Sequence, residues 1–462
     1  MTKTFMPAFK SLDELSDHQL NGLKWTVAHA YGGSEIYRNK FEGAGVHPDD
    51  IKSLVDIQRL PFTKADDLRD GYPFPLLSVP KSKVVRIHAS SGTTGRKKVL
   101  CYTKKDIEDW THFFARCYEM AELTEDDRIQ IAVGYGIWTA GSGFQLGCEK
   151  FGAMAIPVGP GNVDMQCRFL VDLQATVLCS TASMALLMAE EIEKRNLRDK
   201  IALKKLIFGS ERSSTAMRKR IKELMGVEDI FDIPGLTELY GPGTGLDCKK
   251  HEGIHYWADY YILEILDPET MKPVAEGEAG EMVVTTLTKE AAPLIRYRTG
   301  DLSRIISHPC SCGNILPMHD SILGRTDDMI IFRAVNIYPG QIDEILSNIP
   351  EISCEYQLVL DRKEDGRDYM KLRVECHEDA DSSRRSEVQI KISRDIKKQI
   401  MVSCQVELVD YHSLPKESLI TDNIKKGGLK DEKKNKYDYL WNSNRSIDCN
   451  HFYTGISYSR ND

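Results

Sequence analysis

Residues 88–100, HASSGTTGRKKVL, combine residue types that can close on a phosphate group. The residues from position 90 to position 95 are all serine, threonine or glycine, and three cations follow them. Such a loop has little side-chain bulk, so its backbone N–H groups and hydroxyls can surround phosphate oxygens while the cations neutralise them. The segment therefore predicts a phosphate-binding loop made of Ser90, Ser91, Gly92, Thr93, Thr94, Gly95 and Arg96, followed by Lys97 and Lys98.

Two other interpretations of this loop fit the sequence less well. A flexible Ser/Gly linker would not lie between two short strand-like runs, 84–87 and 99–102, or carry three cations. A P-loop kinase needs the spacing GxxxxGK[ST] at the start of a helix, whereas Gly92 and Gly95 precede a strand-like run. We therefore expect a triphosphate clamp of another kind.

The middle of the chain has the pattern of a parallel α/β sheet. Strand-like apolar runs at 129–133, 154–158, 176–179, 205–208 and 229–232 alternate with amphipathic helical segments at 163–173, 182–195 and 214–225. This alternation predicts βαβ units, and ligands of such sheets bind at the carboxyl ends of the strands. The loops expected at those ends are rich in glycine and aromatic residues, which suits a pocket for a flat organic ligand; they are 134–144, 159–162, 208–211 and 232–243.

The flanking segments predict a large and a small domain. Residues 11–40 have helical periodicity with a break at 32–33, and an aromatic stripe in 106–120 predicts a buried helix face. Residues 259–302 are β-rich and predict an antiparallel sheet. The fold class is thus α/β, with a large N-terminal domain at 1–325, a small α+β domain at 326–415 and a divergent, poorly ordered tail at 416–462.

Composition excludes several classes of protein. A net charge of −8 argues against a general nucleic-acid or anionic-membrane binder. No run reaches the roughly 18 apolar residues of a membrane span, and the first residues lack a hydrophobic signal core. The 12 cysteines are dispersed and are expected to be reduced. We therefore expect a cytoplasmic enzyme that binds neither nucleic acid nor membrane.

Four motifs in order resemble those of the acyl-adenylate-forming superfamily, and within it the phenylacetate–CoA ligase family. They are SSGTTG (90–95), GLTELYG (235–241), RYRTGDL (296–302) and GRTDDMIIFRAVNIYP (324–339). The resemblance covers residues 25–415 and implies an adenylation domain with a mobile small domain. It also implies a reaction in two halves. A carboxylate attacks the α-phosphate of ATP to give acyl-AMP and pyrophosphate, and the thiol of coenzyme A then attacks the acyl-AMP.

The resemblance assigns roles residue by residue. The 90–96 loop binds the β- and γ-phosphates, Thr237 and Glu238 lie at the α-phosphate and Mg²⁺, and Asp301 accepts the ribose hydroxyls. Arg325 contacts ribose or phosphate, Asp327 is the hinge, and residues 335–338 line the coenzyme A tunnel. The remaining cofactor-binding positions are Gly209, Ser210, Glu211, Asp232, Arg333, Val335 and Asn336. Taken alone, Asp301 could be a turn residue and Arg325 part of a surface ion pair.

An acyl pocket is expected between the 134–144 loop and the 208–211 loop. Its apolar and aromatic residues favour an aryl or arylalkyl acid over a long fatty chain, although aromatic residues also pack readily in a core. The proposed set is Tyr135, Ile137, Trp138, Phe144, Gly209 and Gly235.

Cysteine and histidine side chains near two loops could bind a structural Zn²⁺. The Cys310-Ser-Cys312 spacing alone is a weak signal, and the alternative is a pair of free thiols in a surface loop. Part of the family carries a similar CxCG and a further cysteine after the GPG loop. The resemblance therefore favours the ligand set Cys248, His255, Cys310 and Cys312.

The sequence departs from the family pattern at several positions. Pro234 stands where relatives carry an aromatic residue that stacks on adenine; either Tyr240 or the 209–212 segment could compensate. Arg96, Lys97 and Lys98 replace the usual Lys-Pro-Thr, and the Gly-Lys segment that closes the family pattern is missing after position 417. Two alternatives to a CoA ligase follow. One is an enzyme that passes its adenylate to a carrier protein, an amine or a deazaflavin coenzyme, and the other is a non-catalytic nucleotide-binding relative. Relatives are often dimers, so a homodimer is also expected.

Overall fold

The computed structural model describes residues 4–90, 97–137, 139–210, 213, 215–326, 330–332, 335–337, 339–362, 368–377, 380–411, 413–414 and 420–422. Its helices are α1 (Leu12–Gly33), α2 (Glu35–Ala44), α3 (Ala65–Asp70), α4 (Lys104–Met120), α5 (Ala140–Phe151), α6 (Val163–Asp172), α7 (Ala182–Lys194), α8 (Thr215–Met225), α9 (Pro339–Ser347) and α10 (Arg385–Ile400). The break that separates α1 from α2 at Ser34 confirms the interruption predicted beside the two glycines.

The strands in the first half of the described chain are β1 (Arg86–Ala89), β2 (Val99–Tyr102), β3 (Arg128–Ile131), β4 (Met154–Ile156), β5 (Val177–Thr181), β6 (Lys205–Gly209), β7 (Asp229–Asp232), β8 (Gly235–Leu236), β9 (Gly241–Pro242), β10 (Gly245–Asp247), β11 (Ile254–Tyr256) and β12 (Tyr261–Leu266). Those in the second half are β13 (Gly280–Thr286), β14 (Tyr297–Ser303), β15 (Ile305–Ile306), β16 (Met318–His319), β17 (Gly324–Arg325), β18 (Ile330–Phe332), β19 (Val335–Ile337), β20 (Ile352–Arg362), β21 (Asp368–Cys376), β22 (Gln405–Val409) and β23 (Ile420–Asp422).

A five-stranded parallel sheet confirms the predicted βαβ alternation. Its strand order is β4-β3-β5-β6-β7, and α5, α6, α7 and α8 connect successive strands along the chain. The chain moves from β3 to one side and then returns to the other side at β5, so the strand order reverses between these two strands. In open α/β sheets, ligands bind in the crevice outside such a reversal, at the carboxyl ends of the strands. The glycine- and aromatic-rich 134–144 segment follows β3; its last five residues, expected in a loop, form the start of α5.

The predicted aromatic stripe of α4 is buried against α5. Trp110, Phe113, Phe114 and Tyr118 are all inaccessible to solvent, which confirms their role in the core. Helix α5 packs close to α4 because glycines of α5 face aromatic rings of α4. A Cβ atom added at Gly147 would lie 2.1 Å from the Cβ atom of Phe114.

Antiparallel sheets follow the parallel sheet along the chain, as the β-rich sequence of residues 259–302 predicts. One has the order β12-β13-β14-β17 and the other the order β10-β11-β16-β15. The turn between β12 and β13 is stabilised by Asp267, whose carboxylate accepts hydrogen bonds from the N–H groups of Glu269 and Thr270. Together with the parallel sheet, these sheets confirm the mixed α/β class.

The described chain divides by its contacts into two units. The first comprises the described residues up to Pro350 together with 395–402, and the second comprises 351–394 and the described residues from Ser403 onward. The second unit contains a mixed sheet of order β22-β21-β20-β23. This division places α9 in the first unit. The domain boundary predicted between residues 325 and 326 concerns the segment that moves, and it stays a prediction.

One short strand lies inside the segment predicted to be a poorly ordered tail. The described residues 420–422 form β23, which pairs in parallel with residues 358–360 of β20. The ladder with β20 provides partners for backbone groups of these three residues, and the expectation of a poorly ordered tail stays a prediction. The rest of 416–462 lies outside the described residues.

No helix within the described residues combines the length and apolarity needed to cross a lipid bilayer.

The α4–α5 contact gives a direct test of the packing. We expect Gly147→Ala to lower the free energy of unfolding by about 1–3 kcal/mol, because a methyl group there has no room against Phe114. Gly43→Ala is the matched control, since Gly43 also lies in a helix but has no atom within 4 Å of an added Cβ. It should be neutral or stabilising by up to about 1 kcal/mol. Urea unfolding measures both, and equal behaviour of the two variants would contradict the packing.

Candidate active site

The predicted phosphate loop connects two antiparallel strands. Residues 91–96 lie outside the described residues, but both ends of the loop are described. Ala89 of β1 pairs with Val99 of β2, and the N–H of Ser90 donates to the carbonyl of Lys98 at 3.0 Å. The strand-like run predicted after the loop is therefore β2. The pairing holds Ser90 and Lys98, at the two ends of this segment, next to each other.

A buried histidine ties this hairpin to the predicted acyl loop. The carbonyl of Ile137 accepts from the N–H of Ala89 at 3.0 Å and lies 3.1 Å from Nδ1 of His88. Burial lowers the pKa of His88 to about 4, so the ring is neutral at pH 7 and we assign its proton to Nδ1. The ring makes edge contacts with Tyr102 and Trp110. Sequence reasoning missed His88, although it lies two residues before Ser90, where the predicted loop begins.

The predicted acyl-pocket residues have different surroundings. Ile137 is 47% exposed, whereas the ring of Phe144 is buried and makes an edge contact with Phe114 at 4.9 Å. The contact with Phe114 is the one expected of the core-packing alternative, and the place of Phe144 in the acyl pocket stays a prediction. Trp138 lies outside the described residues. Tyr135 has a buried hydroxyl without a hydrogen-bond partner among the described residues.

Two predicted glycines allow close backbone approach. A Cβ atom at Gly209 would lie 2.2 Å from the carbonyl oxygen of Ile233, and one at Gly235 would lie 2.2 Å from that of Gly241. A side chain at Gly209 would therefore push the end of β6 away from Ile233, and one at Gly235 would push β8 away from β9. The next residue after β6, Ser210, has φ of 70° and is exposed, and Glu211 lies outside the described residues.

The predicted Mg²⁺ residue Glu238 is buried and held from several sides. Its carboxylate forms an ion pair with Lys98, and its Oε1 accepts a hydrogen bond from the hydroxyl of Tyr297 at 3.0 Å. Burial raises the pKa of this carboxyl, but the ammonium of Lys98 and the hydrogen bonds outweigh burial and lower it overall. The carbonyl of Thr237 accepts from the hydroxyl of Tyr102 at 3.1 Å. Both residues of the predicted catalytic pair are thus fixed by residues distant in sequence.

A second lysine, Lys289, binds the backbone of the loop that contains Glu238. Nζ of Lys289 donates to the backbone carbonyl of Glu238 at 2.8 Å and lies 4.9 and 4.8 Å from the ring centres of Tyr102 and Tyr240. Lys289 is inaccessible to solvent, and burial lowers its pKa to about 8. Sequence reasoning missed it. The signal in the sequence was that Lys289 is the one cation of the 283–295 stretch.

The predicted ribose residue pairs with the predicted phosphate or ribose residue. Asp301 of β14 is the cross-strand partner of Arg325 of β17, and Nη1 of Arg325 donates to Oδ1 of Asp301 at 2.5 Å. Nη2 of Arg325 lies 3.4 Å from the carbonyl oxygen of Thr299. Asp301 lies in β14, and the side chain of Arg325 is aimed at it.

The remaining nucleotide candidates lie at the carboxyl end of the parallel sheet. Asp232, the last residue of β7, forms an ion pair with Arg218 at 3.1 Å, and its N–H donates to Oδ1 of Asp247 at 2.6 Å. Tyr240 does not present a free face for adenine, because it is buried and makes an edge contact with Phe113 at 4.9 Å. Tyr240 therefore cannot replace the adenine-stacking aromatic residue that relatives carry at the position of Pro234.

The small-domain candidates are described only in part. Asp327, Arg333 and Tyr338 lie outside the described residues. Val335 and Asn336 are in β19, which forms a hairpin with β18.

The four predicted metal ligands lie together. Their ligand atoms are all within 4.8 Å of one another in a cluster of Cys248, His255, Cys310 and Cys312. The Sγ atoms of Cys248 and Cys310 are 3.5 Å apart, and Nε2 of His255 is 3.4 Å from Sγ of Cys312. Nδ1 of His255 lies 2.9 Å from the carbonyl of Leu316, so this contact leaves Nε2 free to bind a metal.

The surroundings of this cluster suit a thiophilic cation. The N–H groups of Lys250, Cys312 and Asn314 point at the three sulfur atoms, at 3.4–3.5 Å. Such N–H···S contacts stabilise thiolates. Burial lowers the pKa of His255, which favours the neutral ring that a metal requires. The donor set therefore fits tetrahedral Zn²⁺.

Known proteins with similar sequences are ligases that form acyl adenylates. A family model of AMP-binding enzymes matches residues 42–287, and a model of the AMP-binding enzyme C-terminal domain matches 334–424. Phenylacetate-coenzyme A ligase of Escherichia coli (strain K12) is 40% identical over 412 residues, covering 88% of this chain and 93% of the relative. The enzyme of the same name from Thermus thermophilus is 40% identical over 378 residues, covering 81% and 84%.

A solved structure has the same fold. The crystal structure of 2-hydroxyisobutyryl-CoA ligase in the postadenylation state, in complex with an acyl-AMP, superposes with a TM-score of 0.79 at 26% identity and covers 92% of both chains. Fold and site thus define an AMP-binding enzyme with a C-terminal domain of the same class. Within that class the chain belongs to the phenylacetate–CoA ligase family, whose members are AMP-forming acid–thiol ligases.

The buried lysine below Glu238 gives a pH-dependent prediction. The pKa of Lys289 is about 8 in the folded chain and 10.5 when unperturbed. Between these values the unfolded chain binds more protons, so stability rises with pH. Relative to Lys289→Met, the wild type should gain about 2 kcal/mol in free energy of unfolding between pH 7.5 and pH 10.

Urea unfolding at several pH values measures this gain. The exposed Lys104→Met is the matched control and should show the pH profile of the wild type. A difference between wild type and Lys289→Met that stays constant with pH would contradict the assignment.

Proposed function

We propose that this chain activates an aryl or arylalkyl carboxylic acid of the phenylacetate class as acyl-AMP and transfers the acyl group to coenzyme A. The observation that carries the proposal is the convergence of motif residues distant in sequence around one site. The phosphate hairpin meets the 237–238 loop through Lys98 and Glu238, and Asp301 pairs with Arg325. About 40% identity to phenylacetate-coenzyme A ligases over most of the chain supports the choice of acid and acceptor.

The residues divide the work of adenylation. The 90–96 loop holds the β- and γ-phosphates, Asp301 accepts the two ribose hydroxyls, and the loops after β6 and β7 hold adenine beside Asp232. Thr237 contacts the α-phosphate, and the carboxylate of Glu238 holds Mg²⁺. Mg²⁺ neutralises charge on the phosphates when bound. Positioning and charge neutralisation provide most of the catalysis in such transfers.

The second half-reaction needs the coenzyme A thiol beside the acyl-AMP. We place the hinge at Asp327, with Arg333, Val335 and Asn336 at the coenzyme A tunnel. Arg325 lies two residues before that hinge in the sequence, so it could exchange Asp301 for a phosphate or ribose oxygen as the small domain turns.

Two further properties complete the proposal. A cytoplasmic location is supported by the cysteines of the described chain, which form no disulfide. A homodimer follows from the resemblance, and its test is the mass of the particle in solution.

A release assay over a panel of acids tests the function. Phenylacetate, indoleacetate, benzoates and short fatty acids are each incubated with MgATP, with and without coenzyme A, and pyrophosphate and AMP are quantified. We expect phenylacetate or another arylalkyl acid to give the highest kcat/KM and AMP release to require coenzyme A. AMP release that is independent of coenzyme A would indicate another acceptor. ATP binding without product from any acid would identify a non-catalytic relative.

Asp301→Ala is the active-site control for this assay. Loss of the ribose contacts should raise the KM for ATP about tenfold or more, because hydrogen bonds to a charged group are worth about 1.5–3 kcal/mol. The exposed acid Asp49, in the N-terminal region, provides the matched variant Asp49→Ala, which should retain wild-type kinetics. Unchanged ATP affinity and turnover in Asp301→Ala would remove the basis of the proposed site.

We also propose that Cys248, His255, Cys310 and Cys312 hold a structural Zn²⁺ that joins the loop after β10 to the loop between β15 and β16. The support is the common distance range of the four ligand atoms and the N–H groups aimed at the sulfur atoms. A bound ion would cross-link segments about 60 residues apart in the chain.

Metal analysis of the purified protein tests the zinc site. We expect about one equivalent of zinc per chain, loss of the metal in Cys310→Ser, and a lower melting temperature after chelation. Cys167→Ser changes a buried cysteine outside the cluster and should keep the metal. Less than about a tenth of an equivalent in the wild type would end this proposal.

A further inference from the structure

The pairing of β13 with β14 changes register at the predicted ribose residue. Arg298 pairs with Val283, whereas Leu302 pairs with Glu281. Three residues of β14 therefore lie opposite a single residue of β13, and we call this segment, residues 299–301, the β14 bulge. Bulges in strands bend the backbone and change the direction in which a side chain points. The last residue of the β14 bulge is the one predicted to bind ribose.

Two side chains bind the backbone of the β14 bulge where the regular ladder is interrupted. The hydroxyl of Thr299 donates to the carbonyl of Met282 at 2.8 Å and accepts from the N–H of Asp301 at 3.0 Å. Oε1 of Glu281 accepts from the N–H of Gly300 at 3.2 Å. Backbone groups that leave a ladder need other partners, so the shape of the bulge depends on these two side chains.

The carboxylate of Glu281 is itself held in place. Its side chain is 2% exposed, and its two oxygens lie 2.6–3.2 Å from Nε and Nη2 of Arg298. A buried carboxylate needs a partner of opposite charge, and the planar guanidinium also fixes the orientation of the carboxylate. The oxygen that binds the N–H of Gly300 therefore has a defined position.

The other side of the β14 bulge lies against β17. Gly300 has φ of 78°, a left-handed conformation that favours glycine, and a Cβ atom there would lie 2.9 Å from Nη2 of Arg325. The carbonyl of Gly300 accepts from the N–H of Thr326 at 2.7 Å. Asp301 then pairs in register with Arg325. The bulge is thus bonded on both sides, directly before the carboxylate of Asp301.

We propose that Thr299 and Glu281 are positioning residues for nucleotide binding, which hold the β14 bulge and so direct the carboxylate of Asp301 at the two ribose hydroxyls. This inference rests on the proposed function, specifically on Asp301 as the ribose-binding residue. Neither positioning side chain contacts the nucleotide. Hydrogen bonds weaken steeply as their angle departs from linearity, so a relaxed bulge would weaken the ribose contacts and leave those to base and phosphates.

An ATP analogue that lacks both ribose hydroxyls tests this inference. The kcat/KM for pyrophosphate release is measured with ATP and with 2′,3′-dideoxy-ATP, each with Mg²⁺ and the most active acid of the panel above. We expect the wild type to prefer ATP about tenfold or more, because two hydrogen bonds to a carboxylate are lost with the analogue. The ratio of the two values does not change with the fraction of active protein.

A matched pair of substitutions isolates the hydroxyl of Thr299. Thr299→Val keeps the branched shape but removes both hydrogen bonds of the hydroxyl, so the preference for ATP should fall about threefold or more. Thr299→Ser keeps the hydroxyl and should stay within about twofold of the wild-type preference. Glu281→Gln keeps an oxygen for Gly300 but lacks the charge that binds Arg298, so its preference should fall about twofold or more.

Thr285→Val is the control for a merely structural effect. Thr285 is a buried residue of β13 outside the bulge, and its hydroxyl accepts from the N–H of Arg296 at 2.9 Å. Removal of this hydroxyl should lower stability, as in Thr299→Val, but keep the wild-type preference for ATP over the analogue. Urea unfolding of both variants compares their stabilities.

The proposal is supported by a lower preference for ATP in Thr299→Val and Glu281→Gln together with the wild-type preference in Thr299→Ser and Thr285→Val. An unchanged preference in Thr299→Val or Glu281→Gln, or a lower one in Thr299→Ser or Thr285→Val, overturns it. If Thr299→Val does not fold, the other three variants decide by the same criteria. A wild type that uses both nucleotides equally, or releases no pyrophosphate, instead contradicts the proposed function.

Discussion

The site depends on keeping one buried negative charge compensated. Glu238 lies on a short loop with little access to water, and residues from three distant segments hold it there. Lys98 neutralises the carboxylate, Tyr297 binds one of its oxygens, and Lys289 holds its backbone carbonyl. Because each contact comes from a different part of the chain, the large unit must fold before the loop acquires its geometry. A local sequence motif alone does not fix it.

The same contacts make the charges of this region interdependent. Lys289 is buried among rings of Tyr102 and Tyr240, where its ammonium has little hydration. Asp106, also buried, lies in the first turn of α4 and accepts hydrogen bonds from the N–H groups of the two residues that follow Lys289. Lys289 and Asp106 therefore occupy one buried region with opposite charges, which offsets part of the cost of removing each from water.

Most of the fold could be predicted from the sequence because its signals are local. The strands of the parallel sheet are short apolar runs between amphipathic helices, and they lie within a few residues of their predicted positions. The aromatic stripe of α4 predicts its own burial by helical spacing. The β23 strand at 420–422 could not be predicted, since its only reason to form is its partner β20.

The sequence predicted the site residues that belong to the ordered motifs. It could not predict those residues whose role depends on a contact with a distant segment of the chain. The motifs indicated Asp301 and Arg325, and the structure adds that strand pairing brings them together. His88 and Lys289 belong to none of the motifs, so only the folded chain shows which groups they contact. Phe144, predicted for the acyl pocket, lies in α5 and packs against Phe114 of α4, and the sequence alone does not distinguish these two surroundings for an aromatic residue.

The carbonyl of Ile137 has a consequence for reshaping substrate scope. It is shared by His88 and Ala89, at the strand that enters the phosphate hairpin, while its own side chain is exposed in the acyl loop. The segment predicted to bind the acid and the hairpin predicted to bind the nucleotide are therefore linked through one peptide group. Engineering that enlarges the acyl loop would have to preserve this peptide's orientation, or a gain in acid range would be accompanied by weaker nucleotide retention.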